Sequence, residues 1–326
     1  MPARQIPPLS VPLPAERPRA TPRRLAVIVN PSATAVSQRL RRLVVNALRG
    51  PYEVVAVDTH APGHATELAR RAVLEGAEAV VAVGGDGTAN EVANALAGGP
   101  AALFPLPGGR ANVYCRMLGI ATDPVDATER LLALADGWPV RRVDLGRVNG
   151  RCFLFSSGVG LDASVVRVVD SHPRAKARLG EWYYAWVALR TFAAGYVRHA
   201  PRMRIALDGH AVEGVTAIVQ NGDPYTYFGD RPVRMGVGAE LSGGGLAGVV
   251  LVRAAARDVP SIALRALRGS TGVTGHRHVL GYGPVTELTV SSADRRPLPL
   301  QVDGDHIADV LEARYECLPR ALAVLG

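Results

Sequence analysis

Apolar residues in the first half of the chain come in short, β-branched runs separated by stretches of helical period. Leu25–Val29, Tyr52–Val57, Ala79–Val83 and Ala102–Leu106 are continuously or almost continuously apolar, which predicts strands buried on both faces. Between them, Leu40, Leu43, Val44, Ala47 and Leu48 form one helical stripe, closed by Gly50-Pro51. Leu68, Ala69, Ala72 and Val73 form a second. Regular strand–helix alternation with short loops predicts a Rossmann-like α/β unit with a doubly wound, mostly parallel sheet. Ligands of such sheets bind beyond the carboxyl ends of the strands, so chemistry is expected in the loops that follow them.

From about residue 145 the pattern changes. Arg202–Leu207, Val215–Gln220, Val249–Val252 and Val285–Val290 are short, β-branched and separated by Gly, Asp or Pro. They predict an antiparallel, all-β, sandwich-like unit with a helical insert, and Asp208-Gly209 predicts a hairpin turn within it. The expected organisation is a nucleotide-binding α/β domain over 23–144 and a β-sandwich substrate domain over 145–312. Residues 1–22, with prolines at 2, 7, 8, 12, 14, 18 and 22 between arginines, read as a disordered extended tail.

The third strand runs straight into Gly84-Gly85-Asp86-Gly87-Thr88-Ala89-Asn90-Glu91. Gly85 and Gly87 let backbone N–H groups approach an anion with no Cβ in the way. A helix opening near Thr88 would aim its unpaired amides and positive dipole end at the same point. Asp86, between the glycines, is placed to hold a metal or take a proton. The run is not a P-loop, for Lys176 is the only lysine in the chain, and Asn90 stands where a dinucleotide fingerprint has its third glycine. The plainer reading is a glycine-rich turn, but such a turn seldom needs three glycines and a carboxylate. The loop therefore reads as a nucleoside triphosphate site.

Composition adds limits. With 326 residues, 48% of them hydrophobic, and a mean hydropathy of +0.11, the chain can fill two cores. The net charge of +8 is carried almost wholly by arginine, which suits phosphates and anionic headgroups. A solvated arginine-rich surface accounts for part of it. No RNA-recognition or helix-turn-helix signature is present, so nucleic acid is not expected as a partner. Cys115, Cys152 and Cys317 are scattered without a Cys-x-x-Cys, which argues for a reduced compartment and against a disulfide framework or zinc site. His276-x-His278 reads as a pair of solvated loop histidines. No apolar run reaches the roughly 18 residues that span a bilayer. The expected location is cytoplasmic, including the inner membrane face. Arg174, Lys176 and Arg178 before Trp182, Tyr183, Tyr184, Trp186 and Phe192 suit a headgroup region, or equally an amphipathic helix packed on the β domain.

Further blocks follow in order: Asn30-Pro31-Ser32 after the first strand, Pro107-Gly108-Gly109-Arg110-Ala111-Asn112, Met117-Leu118-Gly119-Ile120, Val143-Asp144-Leu145-Gly146, Phe155–Asp162, and Val302-Asp303-Gly304-Asp305. With the glycine loop, this series is similar to the diacylglycerol kinase catalytic domain family, which includes bacterial lipid kinases and sphingosine kinases. The resemblance covers most of residues 25–320. It implies an α/β and a β-sandwich domain with the active site in the cleft, the first domain being completed by about 313–326. It implies transfer of the ATP γ-phosphoryl group to a lipid hydroxyl, diacylglycerol or a related lipid alcohol, with ATP and Mg²⁺ as cofactors.

Carried over by resemblance, Asn30, Pro31, Ser32, Thr59, Gly85, Asp86, Gly87, Thr88, Asn90, Glu91, Gly109 and Arg110 would contact nucleotide or metal. Asp305 would accept the proton, with Asp144 and Asp86 as supporting carboxylates. Asp162 would meet the lipid headgroup, or else cap a helix beginning near Ala163. Mg²⁺ would arrive with ATP near Asp86, since no metal site is expected from the protein alone. Three departures stand out. Arg110 replaces the family threonine, Asp305 replaces a glutamate one methylene longer, and Leu241-Ser242-Gly243-Gly244-Gly245-Leu246-Ala247-Gly248 carries no carboxylate where the family has an acidic loop. Two other readings stay open: an NAD-kinase-like or other soluble-acceptor kinase, and a catalytically degenerate nucleotide- or lipid-binding protein. An oligomer is also compatible with the sequence.

Overall fold

The computed structural model describes residues 22–172, 181–191, 200–236, 238–268 and 272–326. Its first half alternates as the hydrophobic pattern predicts: β1 (Arg23–Val29), α1 (Gln38–Leu48), β2 (Tyr52–Asp58), α2 (His64–Leu74), β3 (Ala79–Gly84), α3 (Asp86–Leu96), β4 (Ala102–Pro107), α4 (Val113–Met117) and α5 (Pro124–Ala133). Local chemistry sets the boundaries. The Ser37 hydroxyl accepts the Leu40 amide at 3.1 Å and starts α1. Asp123 accepts the amides of Val125 and Asp126 to start α5, with Pro124 in the first helical position.

The four strands run parallel in the order β2-β1-β3-β4. Every residue of β3 and β4 is buried, as continuous apolar runs covered on both faces require. On α1 the buried residues are Val44, Val45 and Leu48, whereas Leu43 is 43% exposed. The stripe is thus rotated from the expected one. Val45 takes the place on the sheet that the sequence assigned to Leu43.

The second half contains β5 (Val140–Val148), β6 (Arg151–Phe153), β7 (Ser156–Gly160), α6 (Leu161–Asp170), α7 (Glu181–Thr191), β8 (Met203–Leu207), β9 (His210–Gly214), β10 (Thr216–Gln220), β11 (Thr226–Phe228), β12 (Arg231–Val233), β13 (Leu246–Leu251), α8 (Val259–Arg268), β14 (Val279–Val285), β15 (Glu287–Ser292), β16 (Leu298–Val302), β17 (Asp305–Val310) and β18 (Glu312–Leu325). One antiparallel sheet has the order β14-β13-β10-β7-β16-β17. The β8–β9 hairpin turns through Asp208 and Gly209, with φ of +46° and +76°, as an Asp-Gly pair allows. The expected strand over 285–290 is instead the end of β14 and the start of β15, with Thr286 between them.

β18 joins the two halves. Near its end, Ala323 and Val324 lie parallel beside Ala102 and Leu103 of β4, while Ala313 to Glu316 pair antiparallel with β15. The first sheet is therefore extended into the second half through β18, β15, β8 and β9. Val148, Phe153, Val159, Ile205, Val219, Leu288, Leu300 and Tyr315 fill the space between this extension and the second sheet. No break falls at 144/145, because β5 runs through that point and pairs with β18 from Val140 to Val148.

Within the insert, Tyr183 and Val187 of α7 pack on Val165 and Val169 of α6. Trp186 stacks on Tyr183, remains 53% exposed, and lies under the Arg190 guanidinium. Arg174, Lys176, Arg178, Phe192 and the tail up to residue 21 lie outside the described residues. His276 and His278 are not solvated loop histidines: His276 is buried, and a ring nitrogen of His278 is 2.6 Å from a carboxylate oxygen of Asp258. Among the described residues, no helix is long and apolar enough to cross a membrane.

Candidate active site

Three main-chain hydrogen bonds tie the carboxyl ends of the parallel strands into one crest. The Thr59 amide donates to Val29 (2.8 Å), the Asn30 amide to Val83 (2.9 Å), and the Gly108 amide to Gly84 (2.8 Å). The loops after β1, β2, β3 and β4 thus share one edge. Asn30 stands in the middle. Its Nδ2 donates to Thr88 Oγ1 at 3.1 Å, and its Oδ1 accepts the Ser32 amide at 3.0 Å. This Asx turn sends Pro31 and Ser32 to the surface, and Thr59 is buried beside it.

The glycines are explained by close approach. A Cβ on Gly84 would come within 2.5 Å of Thr88 Oγ1, and one on Gly109 within 2.8 Å of the Gly85 Cα. A Cβ on Gly87 would lie 2.6 Å from an Asp305 carboxylate oxygen. The β3 and β4 loops are therefore in backbone contact, and Asp305 of the second sheet lies directly against the first turn of α3. The amides of Asp86, Gly87 and Thr88 have no acceptor within that helix, by helix geometry. They give this crest partial positive charge.

Several expected contacts are committed elsewhere. The Asp86 carboxylate turns away from the crest and accepts the amides of Val113 and Tyr114, each at 3.0 Å, capping α4. Burial pushes its pKa up, against the pull of those two amides and of Arg116. Asn112 (φ +44°) braces the same loop, bonding both the amide and the carbonyl of Gly109 at 2.9 Å. The Glu91 carboxylate accepts the amides of Gly63 (2.8 Å) and Ala65 (3.0 Å) and caps α2. Asn90 faces the second half of the chain: its Nδ2 donates to the Cys152 carbonyl (2.9 Å) and to Asp303 (2.8 Å), and its Oδ1 accepts from Arg151 (3.1 Å). Arg110 is exposed on the loop between Gly109 and Asn112.

Asp144 is buried, and its two carboxylate oxygens accept the amides of Arg320 and Gly244, each at 2.7 Å. It fastens the 241–244 loop to β18. Asp162 lies in the first turn of α6, which begins at Leu161 rather than near Ala163. Its side chain does not cap that helix. It accepts the Tyr225 hydroxyl on one oxygen and the Gln301 amide, at 2.7 Å, on the other. Burial raises its pKa, and those two donors oppose the rise.

The structure thus brings Asn30, Gly85, Gly87, Thr88, Gly109 and Asp305 to one point. It uses Asp86, Asn90, Glu91 and Asp144 as ties between elements. Two residues that the sequence reading did not single out complete the frame. Asp303 accepts the amides of Leu154 (2.7 Å), Phe155 (3.0 Å) and Ser156 (3.0 Å), besides Asn90, and burial pushes its pKa up to about 6 despite these donors. Asp303 and Gly304 have φ of +49° and +86°, so an Asp-Gly turn presents Asp305. Gln301 is fully buried, and its Oε1 accepts the Gly304 amide at 2.9 Å. Its signal in the sequence was a single amide among apolar residues in Leu298–Val302.

An α/β sheet with a glycine-lined strand-to-helix crest, faced by a carboxylate from a β-sandwich, defines a two-domain protein with a glycine-lined edge between its layers. Residues 24–148 match the family model described as diacylglycerol kinase catalytic domain. A Staphylococcus aureus (strain bovine RF122 / ET3-1) protein named diacylglycerol kinase is 28% identical over 310 residues, which is 93% of this chain and 92% of that protein. A Pseudomonas fluorescens (strain Pf0-1) protein named "Probable lipid kinase YegS-like" is 31% identical over 172 residues. That match spans 52% of this chain and about half, 54%, of the relative. Two Bacillus anthracis structures share the fold. One superimposes with a TM-score of 0.71 at 20% identity, covering 93% of this chain and 96% of the other. The second, described as a diacylglycerol kinase, has a TM-score of 0.65 at 17% identity, with 93% and 96% covered.

Proposed function

We propose that the protein is an ATP-dependent lipid kinase that transfers the γ-phosphoryl group to the hydroxyl of diacylglycerol or a related lipid alcohol. The observation that carries this reading is the Asp305 carboxylate packed against Gly87, in the turn where the free amides of α3 converge. Phosphoryl transfer asks the protein for position and charge stabilisation, with a carboxylate near the acceptor hydroxyl.

The crest suits a polyphosphate because Gly85 and Gly109 let the β3 and β4 loops meet backbone to backbone beside the first-turn amides of α3, and Gly87 leaves room for Asp305 there. In this reading the first-turn amides of α3 and the Gly109 loop hold the phosphates. Asn30 fixes Thr88 at their side, and Arg110 clamps an outer oxygen. Asp86 and Asn112 act indirectly, by bracing the β4 loop so that its backbone keeps its position. Asp305 takes the proton of the acceptor hydroxyl as its oxygen attacks phosphorus and the ADP oxygen leaves. Asp162 and Tyr225, one strand away, form the polar floor on which the acceptor headgroup rests. Mg²⁺ delivered with ATP would neutralise the phosphate charge. The lipid acceptor places the working protein at a membrane surface, with exposed Trp186 as a contact.

The test is incubation with γ-labelled ATP, Mg²⁺ and mixed micelles carrying a panel of lipid alcohols. The expected result is label in one lipid product, at least 100-fold less with Asp305→Asn. Label in NAD or another soluble acceptor, or in nothing despite ATP binding, would refute the reading.

A further inference from the structure

We infer that Gln301 is a positioning residue that links the acceptor-side carboxylate Asp162 to the turn carrying Asp305. The inference rests on the lipid-kinase reading and extends it. Gln301 is fully buried in β16 and uses both ends of its amide. Nε2 donates to Asp162 at 2.7 Å, and Oε1 accepts the Gly304 amide at 2.9 Å. Gly304 is the residue immediately before Asp305.

The other contacts hold the amide in this orientation. The main-chain carbonyl of Gln301 accepts the Ser157 hydroxyl at 2.6 Å and fixes β16 beneath the side chain, and that hydroxyl is 3.0 Å from the Tyr315 oxygen. Gly158, opposite Gln301 in the neighbouring strand, leaves the room that the Asp162 carboxylate occupies, since a Cβ there would overlap that carboxylate and crowd the Gln301 amide. The far end is the Tyr225 hydroxyl on the other oxygen of Asp162. The result is one continuous path: Tyr225, Asp162, Gln301, the Gly304 amide, Asp305, the first turn of α3.

A buried amide bridging a carboxylate and a backbone N–H is costly to build for packing alone, since an apolar side chain would fill β16 without needing two partners. Here it sets the height of the 303–305 turn. An acceptor headgroup that engages Asp162 pulls on the same bond that fixes the turn, so acceptor seating and placement of the base are mechanically joined. Displacing a reacting group by about 1 Å can cost on the order of 100-fold in rate, which is why an ordinary-looking glutamine can matter.

The experiment uses the full chain with Gln301→Met, which keeps the volume and removes both hydrogen bonds. Two readouts are taken: steady-state kinetics on the labelled lipid, and hydrogen exchange at the Gly304 amide. A tenfold to 100-fold fall in kcat is expected, with KM for ATP within twofold of wild type. Exchange at Gly304 should be at least tenfold faster. In an Asp305→Asn background the Gln301→Met change should reduce kcat no further, because the group it positions is gone. A kcat within twofold of wild type, or an undiminished effect in the Asp305→Asn background, would overturn the inference. So would unchanged exchange at Gly304. Should Gln301→Met fail to fold, Gln301→Asn carries the same test, since its shorter side chain cannot span from Asp162 to the Gly304 amide; at least a threefold fall in kcat is expected, and none in the Asp305→Asn background. A wild-type protein that phosphorylates no lipid would sink the kinase reading instead, and the Gly304 exchange would then decide whether Gln301 holds the turn.

Discussion

Asn90 and Asp303 lie 213 positions apart in the chain and share a buried hydrogen bond of 2.8 Å. Asn90 belongs to the helix that opens at the glycine loop, and Asp303 to the turn that presents Asp305. The two halves of the candidate site are therefore held in register by side chains that touch neither end of a proposed substrate.

Asp303 gives that register a pH dependence. Its folded pKa, about 6, lies above its ordinary value of 3.8, so its contribution is fully present below about pH 4 and lost as pH rises through 6. Replacing it by neutral Asn removes this component. Between pH 4 and pH 7, wild type should lose up to about 3 kcal/mol of stability relative to Asp303→Asn. Urea unfolding of both proteins at four pH values measures the difference, and a gap that stays constant with pH would contradict the assignment.

Gly87→Ala should separate stability from activity. The new Cβ meets only the end of the Asp305 side chain, which can swing away, and Ala favours a helix over Gly by up to about 1 kcal/mol. The melting temperature should therefore hold or rise slightly, while lipid phosphorylation falls at least tenfold. Equal losses of both would show that Gly87 serves the fold alone.

Gly109→Ala should behave in the opposite way, because its Cβ meets backbone, the Cα of Gly85. Neither loop can yield without moving its strand end. A loss of about 2 kcal/mol in urea unfolding is expected, on the scale of an overpacked core site, together with weaker ATP binding by calorimetry.

Asp86→Ala should destabilise the protein whatever it does to turnover. Two buried amides, those of Val113 and Tyr114, lose their acceptor, at a cost of about 2 kcal/mol. Asp86→Asn keeps one acceptor oxygen and should lose less. If stability is unchanged in Asp86→Ala, Asp86 is not the cap described here.

Trp186→Ala should leave the fold intact, since this side chain is half-exposed on α7, and should lower sedimentation with anionic vesicles at least threefold. Undiminished vesicle binding would remove Trp186 from the membrane contact.

The parallel sheet and the glycine loops were legible because both are local: β-branched runs mark β1 to β4, and the loops follow at their ends. The Asp208-Gly209 hairpin was legible for the same reason. What stayed hidden depends on long-range partners. Nothing near Asp86 in the sequence announces that it caps α4, some 27 positions on, nor that Glu91 caps α2 behind it. Asp303 stood inside a run already picked out, yet its value lies in three amides about 150 positions away. The rotation of α1 and the burial of His276 are likewise decided by the surfaces packed on them, which leave no period in the chain.

The long strand β18 also bears on how the molecule is made. Ala323 and Val324, near its end, take their place beside β4 only after some 220 intervening positions have been synthesised. Until then the edge of β4 has no neighbour in the sheet. The sheet that comes first in sequence is thus completed by a strand that follows the whole of the second.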